Sequence, residues 1–116
     1  MKALGYVDDT ALAESLRRIA SEGSKKLGAA GALRFMRQRG IPDAIARLAL
    51  EGYDEAGPAA RFASKRMASL SGLDPVVAKR RLSARLARRG FGYDTIRKTV
   101  SNSFLKEEKT DDEKDA

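Results

Sequence analysis

Residues 12–49 of this chain recur fifty places further on. Leu12-Ala13 reappears as Phe62-Ala63, Ala32 and Met36 as Leu82 and Leu86, and Arg39-Gly40-Ile41 as Arg89-Gly90-Phe91. One inserted residue then moves the offset to fifty-one, so that Ile45 and Ala49 match Ile96 and Val100. Self-similarity at this spacing marks one structural unit present in two copies, and such units bury their interior faces against neighbours. Gly5-Tyr6 before Asp8-Asp9 echoes Gly52-Tyr53 before Asp54-Glu55. Met1–Tyr6 therefore reads as the last turn of an earlier unit, and the chain as a fragment or a short version lacking its first unit.

Within each copy the apolar spacing is helical and nowhere alternates as in a strand. A first helix is expected from Asp8-Asp9, acids suited to a cap and first turn, with Leu12, Leu16, Ile19 and Ala20 on one face. Gly23-Ser24 breaks it. A second helix turns Ala29, Ala32, Leu33 and Met36 inward and stops at Gly40. The third opens at Ile41-Pro42-Asp43, carries Ile45, Leu48 and Ala49, and ends at Gly52. In the second copy Pro58 opens a helix with Phe62, Ala63, Met67 and Leu70. Asp74-Pro75 caps and starts the next, which carries Ala78, Leu82 and Leu86 to a stop at Gly90. Ile96, Val100 and Phe104 stripe the last helix. The expected fold is all-α, two complete tandem three-helix repeats in an elongated or curved array. The expected divisions are a helix remnant at 1–7, repeats at 8–53 and 54–105, and a tail at 106–116.

Cysteine and histidine are both absent. That removes disulfides, thiolate nucleophiles, the usual general base near neutral pH and the commonest metal ligands. No Ser–His, Cys–His or carboxylate-pair arrangement remains to support catalysis. The expectation is a binding protein and not an enzyme, with no catalytic residues, no metal and no cofactors. Asp8 and Asp9 read as capping groups rather than metal ligands. Gly28-Ala29-Ala30-Gly31 lacks the strands of a KH fold and the Lys-Ser/Thr of a phosphate loop, and reads as close helix packing or a frayed helix start. No apolar run approaches the roughly 18 residues that span a bilayer, and no signal-peptide core is present. A monomer in the cytoplasm, with no membrane partner, is expected.

Charge is unevenly distributed. The chain carries 23 Lys and Arg against 16 Asp and Glu, net +7. Residues 106–116 hold three Lys and six acids, which leaves the body with twenty basic and ten acidic residues. The tail has no apolar side chain beyond its terminal Ala and is expected to be disordered, either a solubilising end or a mimic of nucleic acid that shields the body. A body this basic favours a polyanion or an acidic protein surface. Between Lys65 and Lys98, ten Lys and Arg face only Asp74 and Asp94. Lys79, Arg80, Arg81, Arg85, Arg88 and Arg89 fall within eleven residues of the fifth helix. At about 100° per residue, Arg81, Arg85 and Arg88 line one flank of the Leu82–Leu86 stripe. Like charges at that spacing repel by a few tenths of a kcal/mol per pair, which a partner anion relieves. The competing reading is a solvated face whose long stems cover the core. DNA phosphates and protein carboxylates suit the arginine fork equally, and the sequence does not separate them. Arg34 and Arg37 offer a thinner basic surface on the second helix. Phe35 projects away from the Ala32–Met36 face, to pack on a neighbouring helix or to stack a base. Tyr6, Tyr53 and Tyr93 sit at unit junctions and are expected to lock one triplet to the next by ring burial and a hydroxyl bond.

These residues resemble the RecX family of bacterial regulatory proteins. Gly72-Leu73-Asp74-Pro75, Ala78-Lys79-Arg80-Arg81-Leu82 and the run from Leu86-Ala87-Arg88-Arg89-Gly90-Phe91 through Gly92-Tyr93-Asp94-Thr95-Ile96-Arg97 look like its C-terminal repeat. Leu4-Gly5-Tyr6-Val7-Asp8-Asp9, then Leu12-Ala13, looks like the entry to its middle repeat, and Arg39-Gly40-Ile41 like the end of that repeat's second helix. The resemblance spans about residues 4–105. It implies three tandem three-helix repeats, a partner in the RecA filament on single-stranded DNA, and inhibition of RecA. Positions often basic in the family are Ala30 and Gly31 here. The alternative function is a direct DNA-binding protein of helix-turn-helix-like units with the fifth helix as reader. A third is a passive helical adaptor.

Overall fold

The computed structural model describes the backbone of residues 2–23 and 25–115 and the side chains of 9–23 and 25–104. Six helices follow in order: α1 (Lys2–Glu22), α2 (Ala29–Gln38), α3 (Asp43–Ala49), α4 (Ala56–Leu70), α5 (Pro75–Arg88) and α6 (Tyr93–Asp115). No strand occurs among the described residues. The helices form two triplets, each around its own core. Ala13, Leu16 and Ala20 of α1 meet Ala32, Phe35 and Met36 of α2, with Ile41 and Ala46 closing the first. Phe62, Ala63 and Leu70 of α4 meet Leu82 and Leu86 of α5, with Phe91, Val100 and Phe104 closing the second. The matched pairs Ala32/Leu82 and Met36/Leu86 are fully buried in both. Gly40 and Gly90, at φ +85° and +83°, turn the chain after α2 and α5 through the left-handed region that glycine enters without a Cβ penalty.

Local chemistry explains the helix ends. The Asp74 carboxylate accepts from the amide of Val76 at 2.8 Å, and Pro75 occupies the first helical position, where its missing N–H costs nothing. At the far end of α3, Arg17 of α1 donates to the carbonyls of Ala49 and Glu51, both at 2.8 Å, satisfying acceptors the helix leaves open.

Several expectations are corrected. α1 runs through Asp8 and Asp9 without starting there, and it ends at Glu22. The preceding residues are helix-compatible, and one glycine lowers helix stability by about 1 kcal/mol without stopping it. Ser24 lies outside the described residues. Leu12 and Ile19 are 43% and 45% exposed. The buried face of α1 is centred between Ala13, Leu16 and Ala20, and Leu12 and Ile19 fall on its edge. Leu48 is 66% exposed, on the side of α3 opposite the buried Ala46. Phe35 is buried in the first core, beneath the cations of Lys25 and Arg39 at 4.9 and 5.2 Å from its ring centre. Of the three tyrosines, Tyr53 makes a hydroxyl bond, donating to the carbonyl of Leu27 at 2.7 Å, but Leu27 packs on the same first core, so the bond closes the first triplet and does not lock it to the next. Burial, with the Glu55 carboxylate adding to it, pushes its phenol up to about 12. Tyr93 is 79% exposed, and the Tyr6 side chain lies outside the described residues. The α6 backbone continues to Asp115, through the stretch where the sequence predicts disorder. Extending an anchored helix adds one hydrogen bond per residue with no new nucleus to form.

The two triplets meet end to end. The amides of Gly28 and Ala30 at the head of α2 donate to the carbonyls of Arg89 and Gly90 at the foot of α5, at 2.9 and 3.2 Å. Open donors of one helix thus satisfy open acceptors of another. The approach is so close that a Cβ on Gly31 would overlap the carbonyl oxygen of Arg89. The Glu55 carboxylate strengthens the seam by accepting from Ala29 of α2 and Gly92 before α6, at 3.3 and 3.2 Å. The molecule is long, 67 × 23 × 21 Å, with a radius of gyration of 17.4 Å against about 13 Å for a compact chain of this size.

Candidate functional site

The six basic residues of the fifth helix do not form one surface. Burial of Ala78, Leu82 and Leu86 fixes the rotation of α5. Helical geometry then sends Arg81, Arg85 and Arg88 to one flank, Lys79 to the other and Arg80 to the side facing away from the core. Arg80, Arg81 and Arg88 are exposed and Arg85 is half-buried. Among the described residues no carboxylate pairs with Lys79, Arg80, Arg81, Arg85, Arg88 or Arg89. Lys79 leans toward α6, its ammonium 5.6 Å from the ring centre of Phe104. It lines a shallow groove with Ser83, Ala87, Tyr93, Ile96 and Arg97. Arg89 turns into the seam, donating to the carbonyl of Lys25 and lying 4.8 Å from the ring centre of Phe62.

On α2 the two basic residues separate. Arg37 is neutralised by Asp43, its Nε donating to Oδ1 at 2.7 Å, while Arg47 holds the other carboxylate oxygen at 2.7 Å. Hydrogen bonds from Arg47 and Arg37 hold the Asp43 carboxyl below the usual carboxylate range. Arg34 is exposed.

The fifty-residue offset shows why the flank of α5 is unusual. Gly28-Ala29-Ala30-Gly31, the small residues that let α2 dock on the second unit, correspond to Ala78-Lys79-Arg80-Arg81. Phe35, buried in the first unit, corresponds to Arg85, and Gln38 to Arg88. The surface that one unit uses for docking is, in the other, lined with guanidinium groups. Such a face attracts negative charge. It can recognise carboxylate or phosphate through forked hydrogen bonds. Among the described residues no three potential metal ligands converge, and no helix is long and apolar enough to cross a membrane.

Residues 59–100 match the family model for the third three-helix domain of RecX. The regulatory protein RecX of Prosthecochloris aestuarii is 36% identical over 101 residues, covering 86% of this chain and 65% of that protein. That of Chlorobium limicola is 31% identical over 99 residues, covering 84% and 61%. The crystal structure of RecX from Lactobacillus salivarius superposes with a TM-score of 0.74 at 25% identity, covering 84% of this chain and 64% of that one. The chain thus spans just under two thirds of the length of these relatives.

Proposed function

The chain belongs to the RecX family, and from that premise we propose that it regulates the RecA recombinase by binding the RecA–single-stranded DNA filament and inhibiting RecA activities. One observation carries the reading: Arg81, Arg85 and Arg88 share a flank of α5 and have no carboxylate partner among the described residues. In this reading they meet acidic side chains or phosphates in the filament groove, while Lys79, Arg80 and Arg34 add longer-range attraction. Arg37 is already paired with Asp43, and Arg89 turns away from this flank into the seam. The long, narrow shape suits a ligand that lies along a groove and bridges neighbouring protomers. Inhibition follows from linkage: a ligand that prefers one filament state draws the population toward it and away from the state that exchanges strands. Residues 8–53 and 54–105 act in this account as the middle and third repeats of a cytoplasmic regulator, working as a monomer.

RecA strand exchange with increasing amounts of the protein tests the proposal. Inhibition that saturates is the expected result, and full exchange at saturating protein contradicts it. The basic second helix of each triplet also suits a direct DNA reader. Sequence-selective binding of naked duplex DNA without RecA, with a salt slope near 0.9 per phosphate contacted, would favour that reading instead.

A further inference from the structure

Four cations from both helical units gather where the segment after α1 crosses α4. Arg61 of α4 donates through Nη2 to the carbonyl of Ser21 at 2.6 Å. Arg89, at the foot of α5, donates through Nη1 to the carbonyl of Lys25. Lys26 lies near enough to Lys65 of α4 for the two positive charges to act on each other. Lys26 is only 8% exposed, and its backbone is held at φ +43°. That left-handed conformation costs a non-glycine residue about 1 kcal/mol, and strain of this kind concentrates at functional positions. No carboxylate pairs with any of the four among the described residues. Burial, then the adjacent charges of Lys65, Arg61 and Arg89, lower the proton affinity of Lys26.

The arrangement is costly without a counter-ion and prepared for one. Backbone carbonyls pin both guanidinium groups, each through one nitrogen, leaving the remaining N–H donors free to turn to a ligand. Two ammonium groups approach from other elements. A planar carboxylate offers two oxygens and one charge, whereas a phosphate group offers three terminal oxygens and up to two charges. We propose that Lys26, Arg61, Lys65 and Arg89 form a binding site for a phosphate group at the seam between the two helical units. Lys26 belongs to the first unit and the other three to the second, so an occupied site ties the units together. The site is distinct from the Arg81–Arg88 flank and does not depend on how that flank is used.

Calorimetric titration and heat unfolding with inorganic phosphate, at ionic strength held constant with sodium chloride, test it. The expected result is saturable binding with a rise in unfolding temperature. Lys65→Gln, on the exposed side of α4 where the core is untouched, should weaken binding roughly tenfold, as loss of one charge-assisted hydrogen bond does. Arg81→Gln should leave it unchanged. A second arm compares a short single-stranded oligonucleotide with the same sequence carrying uncharged methylphosphonate links. A preference for the charged form that Lys65→Gln abolishes assigns the site to nucleic-acid phosphate, and binding of inorganic phosphate alone assigns it to the free anion. No saturable effect in either arm, or equal binding by Lys65→Gln and the unsubstituted protein, overturns the proposal.

Discussion

Gly31 and Arg81 hold equivalent places in the two units and differ in use: Gly31 admits a backbone at the seam, whereas Arg81 is exposed. A methyl group at Gly31 meets the Arg89 carbonyl, which α5 holds in place, so neither side can yield cheaply. Gly31→Ala should destabilise the protein by on the order of 2 kcal/mol, read from denaturant unfolding. A neutral effect would mean that the seam is looser than described. Tyr53 gives a second test at this scale. Its phenol is raised in the folded protein, so its contribution to stability is complete below about pH 10 and is lost as pH rises toward about 12. Tyrosinate absorbance should show a late-titrating phenol that Tyr53→Phe removes, and Tyr53→Phe should lose less stability across that window than the unsubstituted protein. Spacing put Tyr53 and Tyr93 at similar junctions, yet one is tied to Leu27 and the other faces solvent. What separates them is a partner 26 residues away, which no local pattern contains.

At the scale of elements, the sequence was most legible where the chain turns. Gly40, Gly52, Gly72 and Gly90 mark the helix ends, and Asp74-Pro75 marks a start. Faces were legible where large side chains point inward, as in α5, and less so in α1, where Ala13 and Ala20 are buried beside Leu16 while Leu12 and Ile19 are exposed. The basic cluster on α5 was visible as composition, but its division into an exposed flank, a groove lysine and a seam arginine needed the neighbouring helices. Glu55 was not legible at all as a site. It accepts from amides at the heads of two helices, α2 from one unit and α6 from the other. Glu55→Ala should cost about 1–2 kcal/mol, consistent with losing two long cap-like bonds. Glu55→Gln, which keeps an acceptor, should cost less. Equal losses in the two variants would make side-chain packing, not acceptance, the residue's role.

Over the whole molecule, the repeat identified in the sequence carries most of the architecture: two cores with the same buried positions, arranged in line. The seam was hidden because it is made of backbone atoms about sixty residues apart, and the cation cluster because its members come from α4, the foot of α5 and the segment after α1. On the arginine flank of α5, Arg81 and Arg88 are exposed and Arg85 is half-buried, with no carboxylate partner among the described residues, and the functional account depends on that. Binding of the protein to preformed RecA filaments on single-stranded DNA, followed by co-sedimentation, tests it most directly. Arg81→Glu with Arg85→Glu should weaken binding at least a hundredfold with helicity unchanged, since two charge pairs become repulsions. Lys98→Glu on α6 should weaken it only slightly. Undiminished binding by the double variant would contradict the account.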